Sequence, residues 1–406
     1  MKNILVIMHM CPFPMNTGGN QAVINGLKAI SKKNNVILLY PSNRNKRSKF
    51  IENQLKQLLN IEIKPFYRNV TKSGLIFYKY LYQKISNRLL HNNTDYLVER
   101  QMNLCNNIIT YDFINYINQV IEDNDIDIVQ IEFVPFMSLV NALVNKKVKK
   151  VFVHHELRFV RNQLVLKGIE KHKNYFSYLY ENLKNQEIAI LNKYDAIITL
   201  SETDKSKLEM YGVNKPIYSS FAIVSSKSQD WVYAKYRLTF LGPGMHDPNF
   251  EGIKWFLSVV WPLLLEYDNN YTLDIIGKWD IEKRNKLGNY KNVRFLGFVD
   301  NIADSLKGSI MIVPINIGSG IRMKILEAAQ CQIPIVTTSV GCEGLPFADN
   351  ENCLIGNNSK EFTNKIIQMS DFELQKKIVN NAYRTIVNKY SLEKLTESRE
   401  MILNNL

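Results

Sequence analysis

Ile310-Met-Ile-Val-Pro-Ile-Asn-Ile-Gly-Ser-Gly-Ile-Arg-Met-Lys-Ile-Leu-Glu-Ala-Ala329 reads as a strand, a turn and a helix in one pass. The run Ile310–Val313 ends at Pro314, which has no N–H to continue a ladder. Gly318-Ser319-Gly320 supplies a turn, and a helical pattern opens near Ile321. A strand with no polar face, followed by a helix, is the unit of a parallel, doubly wound sheet. Arg322 and Lys324 then fall in the first helical turn, where the macrodipole disfavours cations. Free amides of Gly318–Ile321, the dipole and two cations together point to an anion at that spot. Glu327 follows on a similar face, and its two oxygens can accept two neighbouring hydroxyls. A diphosphate on Arg322 and Lys324 with a ribose diol on Glu327 describes a nucleotide diphosphate. The plain alternative is a surface helix carrying a Lys324–Glu327 ion pair.

The same unit recurs along the chain. In the first half, strands are expected at Ile4–Met8, Val36–Tyr40, Ile126–Ile131, Lys150–Val153 and Asp195–Leu200, with helices at Gln21–Lys33 and about 175–193. Ser201 with Asp204 resembles a capping box opening a further helix. The Ser-rich stretch 219–237 has no clear period and reads as a linker. Alternation restarts at Leu238–Leu241 and continues through Leu273–Ile276, Val293–Leu296, Ile310–Val313 and Ile335–Thr338, with helices near Asn249–Leu265, Ile321–Ala329, Glu361–Met369 and Phe372–Lys389. The expected fold is α/β: two doubly wound Rossmann-like domains, 1–218 and 238–389, facing across a cleft. Residues 390–406 form a last helix returning to the first domain. Ligands of such sheets bind at the carboxyl ends of the strands.

Composition excludes other classes. With 406 residues, 46% hydrophobic and 22% charged, the chain has material for sizeable cores and is not of low complexity. No uncharged apolar run approaches the roughly 18–20 residues of a membrane helix. The N-terminus, with Lys2 before a short apolar run and then Pro12 and Pro14, does not read as an export signal. Five scattered cysteines without CxxC spacing suggest neither a disulfide framework nor a zinc site. The location expected from these features is the cytoplasm. Residues 1–100 hold 16 Lys and Arg against 4 Asp and Glu, so the net charge of +13 resides almost wholly in the first quarter. That asymmetry favours an anionic partner there. Within it, Leu75, Tyr78, Tyr82, Ile85 and Leu89 form one helical face flanked by Lys72, Lys79, Lys84 and Arg88. The face is either an ordinary core-facing helix or a peripheral contact with the inner face of the cell membrane. Nucleic acid is not expected, since no recognition motif accompanies the charge.

Gly318-Ser-Gly-Ile-Arg-Met-Lys-Ile-Leu-Glu-Ala-Ala329, continuing through Ile333-Pro-Ile-Val-Thr-Thr338 to Gly341-Cys-Glu-Gly-Leu345, resembles the donor-binding signature of family 4 glycosyltransferases with the GT-B fold. Phe240-Leu-Gly-Pro-Gly-Met-His-Asp-Pro-Asn249 and Val293-Arg-Phe-Leu-Gly-Phe-Val299 match the same family in order and spacing. The first half matches more loosely, through Thr17-Gly-Gly19, Val153-His-His-Glu156 and Asp195-Ala-Ile-Ile-Thr-Leu-Ser-Glu202. The resemblance implies transfer of a sugar from a nucleotide diphosphate donor to a hydroxyl of a glycan or lipid-linked acceptor, with retention and without a metal, in surface polysaccharide or glycoconjugate synthesis. It implies Arg322 and Lys324 on the donor diphosphate, with the loop Gly318, Ser319, Gly320 and Ile321 around it, and Glu327 on the ribose. Gly297, Phe298 and Val299 would meet the base, Gly242 and Gly244 the phosphates, and the Gly18-Gly19 loop the donor and acceptor. Of the two histidines closing the Val153 strand, His155 in preference to His154 would touch the transferring sugar.

Two departures stand out. The family's first glutamate of a pair would fall at Ser319, which is not acidic, and its Arg…Lys pair after the domain's opening strand is replaced by Gly244-Met-His-Asp-Pro-Asn249. The phosphate cations therefore come from Arg322 and Lys324, with His246 either adding a donor or facing solvent in its turn. Other chemistry is weaker. His154-His155-Glu156 lacks a third metal ligand, and adjacent strand residues point in opposite directions. Gly242-Pro-Gly244 is not a dinucleotide fingerprint, because the third glycine position is Asp247. Glu132 and Glu202 sit at or just past strand ends, where they face either the cleft or, as expected here, solvent, and Cys331 and Cys342 are expected as small apolar packing. Two rivals share the fold: a nucleotide-sugar 2-epimerase and a non-catalytic nucleotide-sugar-binding subunit.

Overall fold

A computed structural model describes the chain apart from residues 16, 68–81, 83–84, 86–98, 100–101, 103–108, 168 and 227, and gives Leu164 as backbone only. The basic aromatic helix expected over 75–90 lies outside the described residues except for Tyr82 and Ile85. Contacts group the chain into two units: Met1–Pro14, Leu27–Ser220 and Arg399–Leu406 in one, Met15–Gly26 and Phe221–Ser398 in the other. Unlike the division read from sequence, this grouping puts residues 15–26 with the second unit. The cause is local. Asn25 Nδ2 donates to the Ile223 carbonyl at 2.9 Å, and the Ser225 amide donates to Gln21 Oε1.

In the first unit the strands are β1 Asn3–Met8, β2 Asn35–Leu39, β3 Pro41–Ser42, β4 Glu62–Ile63, β5 Phe66–Tyr67, β6 Ile128–Glu132, β7 Lys149–His154, β8 Ala196–Thr199 and β9 Ile217–Ser219. Seven of them form a parallel sheet in the order β4-β2-β1-β6-β7-β8-β9, and β3 pairs with β5 separately. Ile4–Met8 is wholly buried, as a central strand covered on both faces must be. Ser201 caps the helix Glu202–Met210, its hydroxyl accepting from the Asp204 amide.

The second unit contains β10 Arg237–Leu241, β11 Thr272–Ile276, β12 Val293–Gly297, β13 Ile310–Val313, β14 Ile335–Thr337 and β15 Leu354–Ile355, parallel throughout in the order β12-β11-β10-β13-β14-β15. Both sheets thus start in the middle, run to one edge and resume on the other side of the first strand. This is the Rossmann order, and its switch points lie between β1 and β6 and between β10 and β13. The helix expected over 249–265 runs as Asp247–Trp255, a π turn Phe256–Val260 and Trp261–Tyr267. Pro262 cannot donate inside a helix, and the chain absorbs this with a wider turn in which the Trp261 amide reaches the Phe256 carbonyl. Among the described residues no helix is long and apolar enough to cross a membrane.

Candidate active site

At the second unit's switch point, β10 runs into Gly242-Pro243-Gly244 and β13 into the loop that ends at Arg322. Lys324 fills the space between. Its ammonium donates to Asn249 Oδ1 at 2.7 Å and sits 4.0 Å from the centre of the Phe240 ring on β10. Asn249 is held in that orientation because its own Nδ2 donates to the Pro243 carbonyl at 2.9 Å. Gly242 has φ +147, and a Cβ there would stand 2.6 Å from Asn249 Nδ2 and 3.1 Å from Lys324 Nζ, so the loop closes over the lysine only as glycine. Burial, and then the Arg322 guanidinium, push the Lys324 ammonium well below the usual lysine range. Taking an ammonium out of water costs several kcal/mol, and a desolvated ring face returns about 2 kcal/mol of it. Two cations placed together, with Lys324 met by an asparagine oxygen and a ring face, make a site suited to an anion.

Arg322 corrects the expected helix start. The helix is Met323–Gln330, and Arg322 is its extended N-cap residue, so one cation rather than two lies in the first turn. The reason is the guanidinium, which folds back onto its own loop and donates through Nη1 to the carbonyls of Ser319 and Gly320. Gly318 and Gly320 take φ +125 and +75 to make that loop, and Ser319 and Arg322 are buried within it while Ile321 is half-buried. No Lys324–Glu327 ion pair forms. Glu327 is buried, with the Ser226 hydroxyl donating to Oε1 and Gln21 Nε2 to Oε2 at 3.4 Å. Burial raises its carboxyl to about 7, partly offset by the Gln21 bond. Gly18 packs on the start of this helix, where a Cβ would lie 2.6 Å from Met323 Cγ. Gly19 follows it in the helix Gly18–Ile30, half-buried.

Gly244 lies against Trp279, whose indole N–H donates to the Gly242 carbonyl at 2.9 Å. At the end of β12, Gly297 has φ +74 and its carbonyl accepts from the Gly277 amide, leaving Phe298 66% exposed and Val299 half-buried. His246 is exposed at the N-cap of Asp247–Trp255 and makes no side-chain cap bond. Cys331 and Cys342 are buried within the second unit's core, in no disulfide.

The first unit's switch point carries the histidines. His154 and Glu187 are both fully buried and 2.8 Å apart, and Glu187 also accepts from the amides of Arg158 and Phe159. His155, by contrast, is partly exposed; its Nε2 lies 2.6 Å from Glu132 Oε2 and its ring stacks on Phe133 at 4.0 Å. Glu132 is therefore not in solvent as expected. It ends β6 between Met8 of β1 and Val153 of β7, 4% exposed, and only a paired carboxylate tolerates that position. Glu202 is exposed. His9, just past β1, meets Phe133 edge-on at 5.4 Å; burial, then Arg158 and His155, hold it down at about 4.

Sequence reasoning missed Asn249, Phe240, Trp279, Ser226, Gln21 and Glu187. Asn249 and Phe240 stood inside a quoted motif, and their place at the ends of a strand and a turn was the available signal. Gln21 and Ser226 lie 306 and 101 residues from Glu327, beyond any local pattern.

Residues 235–371 match the family described as "Glycosyl transferases group 1". A protein of Klebsiella pneumoniae described as an "Uncharacterized 44.6 kDa protein in cps region" is 23% identical, over 98% of this chain and 99% of its own. Two crystal structures share the fold at low identity. TarM superimposes with a TM-score of 0.70 at 13% identity, covering 100% of this chain and 99% of that one; HepE of Anabaena, with UDP and glucose, gives 0.69 at 12%, covering 100% of both. Residues 235–371, which hold Arg322 and Lys324, thus carry a glycosyltransferase family domain, and the two parallel sheets have the GT-B fold.

Proposed function

We propose that the chain transfers a sugar from a nucleotide diphosphate donor to a hydroxyl of a glycan or lipid-linked acceptor, as a family 4 enzyme acting with retention. The observation that carries this reading is Lys324: a desolvated ammonium beside Arg322, held among the described residues by Asn249 and a ring face. Arg322 and Lys324 grip the diphosphate and neutralise its charge as the sugar–phosphate bond breaks, which assigns that work to these cations rather than to a metal. Glu327 takes the ribose diol, exchanging the Ser226 and Gln21 donors for two hydroxyls. The turn at Gly242–Gly244 approaches the phosphates and Gly297–Val299 the base. His155 touches the transferring sugar. A TarM mutant of S. aureus crystallised with UDP supports a uridine diphosphate sugar as first probe, and the Klebsiella relative's cps region supports polysaccharide synthesis.

A thermal-shift panel of uridine- and guanosine-diphosphate sugars tests the reading, since a ligand at 100 times its Kd stabilises by about 2.7 kcal/mol. The expected result is a shift with one base, abolished in Lys324→Ala; a shift that survives Lys324→Ala removes the diphosphate assignment. We also propose that the basic first quarter engages an anionic membrane surface. Sedimentation with phosphatidylglycerol vesicles at low and high salt checks this, and indifference to lipid charge discards it.

A further inference from the structure

We propose that Glu132 is a positioning residue for the transfer step, fixing the His155 imidazole through Nε2 so that Nδ1 is the nitrogen presented to the transferring sugar. The inference rests on the reading above that His155 meets that sugar. Three constraints converge on the ring. Glu132 Oε2 holds Nε2 at 2.6 Å, and Gln130 Nε2 donates to the other carboxylate oxygen at 2.6 Å, so the carboxylate cannot turn away. Phe133 covers one face of the imidazole at 4.0 Å with planes 20° apart. To do so Phe133 takes φ +67, a conformation a bulky side chain rarely adopts and one that collects at functional sites.

The neighbouring pair shows what a structural arrangement looks like. Glu187 and His154 are shut off from solvent, and Glu187 also satisfies two backbone amides. Glu132 instead bonds to two side chains, and its imidazole keeps an open edge. A carboxylate on one ring nitrogen sets the tautomer and thereby the role of the other. Among the described residues, the other titratable groups that interact with the pair are His9 after β1, which feels His155, and Arg399 on the C-terminal helix, which feels the Glu132 charge. None of these is the imidazole's bonded partner.

The test uses the full chain with ¹⁵N-labelled histidine, the His155 signals being identified by their loss in His155→Asn. The expected tautomer carries its proton on Nε2, where it is donated to Glu132 Oε2. Proton placement on Nδ1 overturns the proposal. In parallel, release of UDP from UDP-glucose is compared for Glu132→Gln, His155→Asn and the double variant. Turnover should fall about 10- to 100-fold in Glu132→Gln. UDP affinity should stay unchanged, and the double variant should be no slower than His155→Asn. Additive losses, or a slow His155→Asn beside a normal Glu132→Gln, overturn the positioning role alone. A normal turnover in His155→Asn overturns it together with the contact assigned to His155.

Discussion

The two switch points occupy the same place in sheets of the same strand order, yet they solve the problem of a buried charge in opposite ways. In the first unit each histidine at the end of β7 has its own carboxylate, His155 on β6 and His154 on the long helix Lys173–Leu191. In the second, Arg322 and Lys324 are met by carbonyls, an asparagine and an aromatic face. Glu327, close in sequence, is turned to Gln21 and Ser226 instead. A site built to orient a side chain supplies the opposite charge itself. A site built to hold an anion leaves that charge to the ligand.

If that contrast is sound, the pairs should fail differently when cut. Glu187→Ala leaves His154 buried with two backbone amides, and breaking a buried pair from one side costs about 3–5 kcal/mol. Denaturant unfolding should show that loss in Glu187→Ala and little change in Glu132→Gln; equal losses would mean both pairs are structural. Lys324→Met should do the reverse. The desolvation that an apolar side chain of similar length relieves offsets the lost bond to Asn249, so the melting temperature changes little. Donor turnover should fall about 10²–10³-fold, the scale of losing one transition-state donor. A destabilised Lys324→Met with normal turnover would make that lysine a packing element and erase the contrast.

The strand–helix alternation was legible where sheet strands are largely apolar and flanked by turn residues, whereas β4, β9 and β15, edge strands of two or three residues, are too short to show a pattern. The cation cluster was legible because Arg322 and Lys324 break a local rule beside a Gly-Ser-Gly turn. What failed was anything set by chain closure. Glu132 read as a solvated strand end, and only its neighbours on β1 and β7 bury it. Arg322 read as helical, since nothing in the spacing shows a guanidinium folding onto carbonyls two and three residues back.

The helix Gly18–Ile30 sharpens the comparison at a smaller scale, because it has one glycine against the donor helix and one in the open. Gly18→Ala would drive a Cβ to 2.6 Å from Met323 Cγ, whereas Gly26→Ala meets nothing within 4 Å. Overpacking costs about 1–3 kcal/mol, while relief of glycine's entropy in a helix gains roughly 0.5–1 kcal/mol. Opposite shifts in melting temperature, with nucleotide affinity lost only in Gly18→Ala, would tie the first turn of this helix to the site. Equal and harmless substitutions would detach it.

The finest test is pH, since the second unit's acid and base are both displaced. Burial raises Glu327 to about 7, so between its ordinary value of 4.5 and that point the folded protein keeps a proton the unfolded chain has released. Stability contributed by that proton is full at low pH and lost as pH rises through 7, which should make Glu327→Gln the more stable form at pH 8. Donor binding runs the other way, because accepting two ribose hydroxyls needs the ionised carboxylate. From pH 6 to 8 that fraction rises roughly tenfold, about 1.4 kcal/mol in affinity. UDP-glucose is the probe of choice, as its phosphates do not titrate in this range. Its affinity should climb from pH 6 to 8 in the wild type, and Glu327→Gln should lack that climb. Lys324 bends the same curve down again at higher pH, since loss of its lowered proton loosens the diphosphate. An arginine there keeps its charge, so Lys324→Arg should erase the alkaline limb and spare the acidic one. A wild-type curve flat from end to end would mean that neither group touches the donor.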